Sequence, residues 1–339
     1  MRKYIEKLRR RENLLQPEIE NLMQEIMSGQ AAKEDIAAFL LALNDKGPTA
    51  DEITGAAKIM RQFSYEVKTD HPVVLDTCGT GGDLKGTFNI STVTAFVVAG
   101  AGVVVAKHGN RSVSSRCGSA DVLEALGVNL NMEEEHLSEC LDKVGIAFLF
   151  AQRLHPAMKN VAPVRKELKV KTIFNILGPL TNPARATHQI MGVYSRDLVE
   201  PMANVLKNLG LKRALVVHGS DGLDEITTTG KTFVSEFNGK EVVSYDIDPQ
   251  ELRIPLAKVH DLLGGDLAAN VKIVNQVMDG LHGPHRDIVV LNAAYALYTA
   301  EKVKAITQGI REAEMSIDTG AAHSNGHGMP WVLAMVSVS

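Results

Sequence analysis

The hydrophobic pattern changes character near residue 70, and this change constrains the fold more than any other feature of the 339-residue chain. Up to about residue 68, apolar positions recur with helical spacing alone. Ile36, Phe39, Leu40 and Leu43 fall at i, i+3, i+4 and i+7, and Thr49 with Glu52 has the pattern of a capping box. Four short helices forming a small bundle are expected there. From Val73 onward, short β-branched runs alternate with helical stretches: Val103 to Ala106, Ala147 to Phe150, Ile190 to Val193 and Leu215 to Val217. That alternation predicts a mostly parallel sheet covered by helices. FVSEFNGKEVV, centred on Asn238-Gly239, interrupts it with a hairpin signal, and the runs through Ile273 to Val277 and Ile288 to Leu297 return to helix. Pro163 to Pro183, punctuated by Gly178-Pro179 and Asn182-Pro183, reads as a crossover back to the helical bundle. The expected class is α/β. A helical domain spans residues 1–68, joined by part of 163–185, and a larger α/β domain with a mostly parallel central sheet spans 69–339.

Three segments rich in glycine, hydroxyl and amide groups sit at the ends of apolar runs: DTCGTGGD (Asp76 to Asp83), NIST (Asn89 to Thr92) and KHGNRSVSS (Lys107 to Ser115). In the first, Gly79, Gly81 and Gly82 let backbone N–H groups approach an anion unobstructed. Ser91 and Thr92 open a helical run, which brings a helix N-terminus and its free donors. The third adds Lys107, Asn110, Arg111, Ser112, Ser114 and Ser115. One glycine cluster after a strand is ordinarily a tight turn. Three such loops within about forty residues point to phosphate binding.

The net charge of −4 speaks against nonspecific nucleic-acid binding, so a phosphate ligand must be met locally. Cys78, Cys117 and Cys140 are an odd number without CxxC spacing, which fits a reducing cytoplasm. The longest apolar stretch, Val93 to Ala106, is interrupted by Gly100 and Gly102, and no membrane span is expected. GxxxxGK[ST] and a proper GxGxxG are missing, which disfavours a P-loop NTPase or a Rossmann dehydrogenase.

Asp224 and Glu225 stand side by side in the Gly-flanked loop GSDGLDEITTTG. Adjacent loop carboxylates are usually a solvated turn. Beside a polyphosphate they gain a second use, because Mg²⁺ takes one or two carboxylates and completes its shell with water, substrate phosphates and a hydroxyl such as that of Ser91. Arg165 and Lys166 read either as an exposed basic helix face or, for Arg165, as a fork for a substrate carboxylate. His282 with His285, and His323 with His327, have no accompanying carboxylate or thiolate context for a metal site.

In this order and spacing, GTGGD, NIST, KHGNRSVSS, GLDE and NILGPLTNP resemble the motifs of the anthranilate phosphoribosyltransferases, over residues 1 to about 320. The resemblance implies transfer of the phosphoribosyl group of phosphoribosyl pyrophosphate to the amino group of anthranilate, in tryptophan biosynthesis. It implies phosphoribosyl pyrophosphate contacts from Gly79, Gly82, Asp83, Thr87, Asn89, Ile90, Ser91, Thr92, Lys107, His108, Gly109, Asn110, Arg111, Ser112, Val113, Ser114, Ser115 and Ser119. Anthranilate would meet Gly79, His108, Asn110, Arg165 and Gly178, and Mg²⁺ would meet Ser91, Asp224 and Glu225. A cytoplasmic homodimer formed through the helical domain is expected, with no indispensable general base. The rival within this fold is a pyrimidine nucleoside phosphorylase, which needs no metal-binding carboxylate pair. The chain departs from the family at its end, AAHSNGHGMPWVLAMVSVS, where a charged amphipathic helix is usual and where its single Trp, Trp331, lies.

Overall fold

The helical spacing of the first 68 residues becomes α1 (Arg2–Arg9), α2 (Gln16–Met27), α3 (Lys33–Lys46) and α4 (Ala50–Gln62) in a computed structural model that describes residues 1–111 and 117–324. Ser112, Val113, Ser114 and Ser115, and the C-terminal run containing Trp331, lie outside the described residues. Gly47 ends α3 in a positive-φ conformation (+84°) that L-residues resist. Thr49 then caps α4: its hydroxyl accepts from Glu52 N–H while Glu52 Oε2 accepts from Thr49 N–H at 2.8 Å. Ile19, Leu22, Met23 and Ile26 of α2 and Ile36, Phe39, Leu40 and Leu43 of α3 are buried in one bundle core.

The rest of the chain builds a seven-stranded sheet in the order β3-β2-β1-β4-β5-β6-β7. Its strands are β1 (Leu75–Asp76), β2 (Val105–Gly109), β3 (Ile146–Phe150), β4 (His188–Gly192), β5 (Arg213–Gly219), β6 (Thr232–Phe237) and β7 (Val242–Ile247). The first five pair in parallel; β6 and β7 are antiparallel. The expected hairpin joins β6 to β7, with its tip one residue further along: Asn238 and Glu241 pair, and Gly239 (φ +92°) with Lys240 makes the turn. Helices α5 (Ile90–Gly100), α6 (Ser119–Ala125), α7 (Glu134–Glu139), α8 (Ala151–Leu154), α9 (Ala162–Leu168), α10 (Phe174–Leu177), α11 (Val199–Asn208), α12 (Leu267–Met278), α13 (Pro284–Thr299) and α14 (Ile306–Asp318) complete the chain. No helix among the described residues is long and apolar enough to cross a membrane.

Because strand side chains alternate between faces, the sheet belongs to two cores at once. Ile190, Leu215 and Val217 face the core built with α5 and α13. Met191, Ala214 and Val216 face the other side, where Met202 and Leu206 of α11 and the N-terminal bundle cover them. Val161, Val164, Phe174, Leu177 and Leu180 join this second core, so the segment after α8 does return to the bundle. Arg61 Nε donates to Leu180 O at 2.7 Å, and Asn160 Nδ2 to Met27 O at 2.9 Å, fastening that return.

The strand order reverses between β1 and β4: β2 and β3 continue to one side, β4 and β5 to the other. In open parallel sheets the crevice at the carboxyl ends of such strands is where ligands bind.

Glu52 is fully buried, and its two oxygens accept from Leu14 N–H, Thr49 N–H and the buried Lys46 ammonium. Glu52→Ala strands these donors and is expected to cost about 3–5 kcal/mol of stability, read by urea unfolding; a loss below about 1 kcal/mol contradicts the assignment.

Candidate active site

The Gly-rich and acidic segments follow the carboxyl ends of β1 and β5, and Lys107 to Gly109 form the carboxyl end of β2. β1 lasts only two residues because Asp76 takes over the bonding beyond it. Asp76 Oδ1 accepts from Cys78 N–H (3.0 Å) and His108 N–H (3.1 Å), and Oδ2 accepts from Asn182 Nδ2 (2.8 Å). The same Asn182 amide also donates to Ala106 O at 2.8 Å. One carboxylate thus joins the loop after β1, strand β2 and the Asn182-Pro183 turn. Burial pushes its pKa up to about 6, against the pull of Asn182 and Lys107. Asp76, Cys78 and His108 offer ligand atoms within 4.8 Å of one another. Asp76 and His108 are nonetheless spent on protein hydrogen bonds, so the trio is structural.

After Cys78 the chain passes Gly79, Thr80, Gly81 and Gly82. Thr80 N–H donates to Gly192 O at 2.9 Å, stitching the loop to the end of β4. Gly192 has no room for a side chain: a Cβ there would lie 1.5 Å from the carbonyl oxygen of Asp224. That close approach brings the acidic loop against the Gly-rich one. Thr77, Gly79, Ser91, Gly192, Asp224 and Glu225 line one cleft. Asn292 of α13 holds the acidic loop from behind, accepting from Ile226 N–H at 3.0 Å and donating to Ile226 O at 2.8 Å.

The carboxylates here are half-buried and crowded. Asp224 is pushed up to about 7 by burial and then by the Asp83 carboxyl, and Glu225 well above its ordinary value by burial and by Asp224. Glu225 Oε1 accepts from Ser91 N–H at 3.2 Å. The buried Lys107 ammonium donates to Ser91 Oγ (3.2 Å) and Thr77 Oγ1 (3.3 Å). Oxygen ligands that crowd until they favour protonation suit a hard divalent cation such as Mg²⁺.

Asn89 precedes α5, and its Oδ1 is buried without a hydrogen-bond partner among the described residues, as is Thr92 Oγ1. The amide oxygen awaits a donor, and the hydroxyl can donate or accept. Ile90 turns into the core, and Thr87 pairs with Leu263 in an isolated bridge. Gly109 is needed for packing, since a Cβ would meet Phe148 and Ser119 Oγ at 2.6 Å. Ser119 Oγ donates to Asn110 O at 3.2 Å, while Asn110 Oδ1 accepts from Gln152 Nε2 at 3.1 Å. Arg111 is engaged elsewhere: its guanidinium pairs with Asp121 (2.7 Å) and Glu124 (2.8 Å) of α6.

His108 Nδ1 lies 3.1 Å from Gly178 O, and its Nε2 lies 3.2 Å from His155 Nε2. Since a carbonyl only accepts, His108 carries its proton on Nδ1, and His155 must donate from Nε2. Burial holds both histidines below the ordinary value, His155 at about 4. Arg165 on α9 is half-buried, 5.7 Å over the Phe174 ring, and has no ion-pair partner among the described residues; Lys166 beside it is exposed. An unpaired, partly desolvated guanidinium is a receptor for a carboxylate.

The structure thus gathers Gly79, Ser91, Asp224 and Glu225 in one cleft, with Lys107 against Ser91, and ties His108 to Gly178. Sequence reasoning passed over Asp76, Asn182, His155 and Gly192. Only Gly192 carried a local signal, a glycine inside a strand-like run.

Residues 71–323 match the family described as "Glycosyl transferase family, a/b domain", and residues 2–64 match "Glycosyl transferase family, helical bundle domain". The anthranilate phosphoribosyltransferase of Acetivibrio thermocellus is 52% identical over 322 residues, covering 95% of this chain and 93% of the relative. That of Syntrophobacter fumaroxidans is 52% identical over 318 residues, covering 94% of each. The crystal structure of the Thermus thermophilus anthranilate phosphoribosyltransferase superposes with a TM-score of 0.90 at 39% identity, covering 98% of this chain and 97% of that one. The Saccharomyces cerevisiae enzyme in complex with PRPP and Mg gives 0.90 at 27% identity, covering 99% and 97%. Its complex with 4-fluoroanthranilate gives 0.87 at 26% identity with the same coverage.

A histidine with a depressed folded pKa binds its proton more readily when unfolded, so its stabilising share is present above about pH 6.5 and is lost as pH falls towards 4. Asp76, raised to about 6, acts in the opposite sense over part of this range. In His155→Gln an amide can still donate to His108 without titrating. The native chain is expected to lose about 3 kcal/mol more than this variant between pH 6.5 and 4, measured by denaturant unfolding; parallel profiles contradict the buried neutral pair.

Proposed function

This chain belongs to the anthranilate phosphoribosyltransferase family, and we propose on that premise that the cleft at the carboxyl ends of β1, β2, β4 and β5 joins phosphoribosyl pyrophosphate to anthranilate. The products are N-(5-phosphoribosyl)anthranilate and pyrophosphate. The observation that carries this reading is the ionic pattern beneath the Gly-rich loop: a buried Lys107 ammonium and the Glu225 carboxyl meet at Ser91, with Asp224 crowded beside Glu225. A nucleoside phosphorylase using inorganic phosphate has no need of that carboxylate pair.

Gly79 and Gly82 of the Gly-rich loop offer backbone N–H donors to the phosphates, and Lys107 meets them as a fixed charge. The unpaired Asn89 Oδ1 accepts from a ribose hydroxyl. Asp224, Glu225 and Ser91 hold Mg²⁺, which when bound neutralises charge on the pyrophosphate. Arg165 takes the anthranilate carboxylate, and His108, locked by His155 and Gly178 O, bounds its ring.

The amine lone pair attacks C1 of the ribose as the C1–O bond to pyrophosphate breaks, its electron pair leaving with the pyrophosphate; the nitrogen then gives a proton to solvent. An arylamine is neutral near pH 7, so we assign no general base. Holding the substrates as near-attack neighbours supplies up to about 7–11 kcal/mol, and Lys107 stabilises the leaving charge without proton transfer.

We place the domain division near residues 64–71, with Pro163 to Pro183 acting as hinge, because that segment packs on the bundle while its end is tied to Asp76. Pairing of two chains through the helical domain is supported by the exposed Leu15 and Leu41 on its surface. The odd cysteine count supports a cytoplasmic site.

Anthranilate fluorescence is expected to disappear only when protein, phosphoribosyl pyrophosphate and Mg²⁺ are together, and to persist with EDTA. Persistence in the complete mixture with folded protein overturns the reading. Arg165→Ala is expected to raise KM for anthranilate about tenfold or more, the loss of a charge-assisted bidentate contact, with kcat little changed. Asp224→Asn with Glu225→Gln should lower turnover through the metal; the reverse pattern of effects refutes both roles.

A further inference from the structure

Lys171 lies between α9 and α10, in the segment whose next residues, Ile173 and Phe174, are buried with the helical bundle. Its ammonium reaches across to the α/β side, 3.6 Å from the centre of the Tyr194 ring and 3.5 Å from the carbonyl oxygen of Gly82. The second distance is long for a hydrogen bond, so the ion–ring contact is the stronger of the two. No carboxylate lies within ion-pair distance of it among the described residues. Tyr194 is itself part of the loop's mooring, since its N–H donates to Thr80 Oγ1 at 3.1 Å.

The loop it touches needs holding. Gly81, Gly82, Leu84 and Gly86 all have positive φ, at +63°, +80°, +59° and +69°. The loop is moored to other elements at Thr80, through Gly192 O, and at Gly86, whose carbonyl accepts from Gly264 N–H. Between these points Asp83 accepts from the neighbouring Lys85 N–H, a bond within the loop itself. The Gly81 N–H faces Asp224 in the cleft, and Lys171 draws the Gly82 carbonyl the other way. Glycine-rich backbone left unheld must be ordered by the ligand, which weakens binding.

We infer that Lys171 is a positioning residue for the phosphoribosyl pyrophosphate site: a clasp from the helical-domain side that keeps the Gly-rich loop in its anion-receiving shape. This rests on the reading of that loop given under the proposed function.

The test compares the native chain with Lys171→Met and Lys171→Arg. In ligand-free protein, amide hydrogen exchange at residues 81–85 should quicken several-fold in Lys171→Met and stay native in Lys171→Arg, which keeps a cation over Tyr194. KM for phosphoribosyl pyrophosphate should rise about fivefold in Lys171→Met, with kcat and KM for anthranilate within about twofold and with rescue by Lys171→Arg. Either readout unmoved in Lys171→Met overturns the inference. The exchange arm needs no turnover, so a failed clasp is distinguishable from a failed assignment of the reaction, which the native chain's own activity decides.

Discussion

The Asp76 carboxylate is the point on which the site depends. It is fully buried, yet it accepts from the backbone of its own loop at Cys78, from strand β2 at His108 and from the side chain of Asn182. Such a group is costly to bury and costlier to leave half-satisfied. Each of its partners is therefore held to one position: the Gly-rich loop turns away from β1 at Cys78, Lys107 and His108 leave β2 with fixed directions, and the Gly178 to Pro183 turn closes over both. The His108 tautomer, set by Gly178 O and His155, follows from the same closure.

A second constraint comes from the sheet. Its two faces feed different cores, one with α5 and α13 and one with α11 and the N-terminal bundle. The bundle is accordingly packed on the back of the strands whose ends carry the site, and the Val161 to Leu180 segment runs between them. Ligand contacts expected from opposite sides of the cleft, Lys107 and the acidic pair on one and Arg165 on the other, are thereby supported by continuous packing. That arrangement suits a reaction whose catalysis lies in placing two substrates rather than in moving a proton.

What the sequence made legible was whatever is local. Helical spacing found α3, the Thr49 and Glu52 capping box was visible as a pattern, and the alternation after Val73 identified the parallel strands. The hairpin was found with its tip displaced by one residue, because Asn238 caps the turn instead of occupying it. The placing of the Gly-rich, NIST and acidic segments around one cleft was foreshadowed by their glycines, hydroxyls and carboxylates. What stayed hidden was long-range. Asp76 stood within a motif read for its glycines, Asn182 was read as turn punctuation, and His155 had no pattern around it. Asp224 and Glu225 resembled a solvated turn until the missing side chain at Gly192 let that loop pack inward. Arg111, prominent in its motif, pairs here with Asp121 and Glu124 of α6. All but the Arg111 pairing depend on which strands are neighbours, and no local window carries that information.

On the proposed function, Lys107, Ser91 and the carboxylates of Asp224 and Glu225 form one receptor for a metal-bound pyrophosphate. Calorimetric titration of phosphoribosyl pyrophosphate into the protein, with and without Mg²⁺ and in the absence of anthranilate, tests it most directly. Saturable binding at one site per chain that strengthens markedly with Mg²⁺ is expected. Binding indifferent to Mg²⁺, or no binding in its presence, would contradict it.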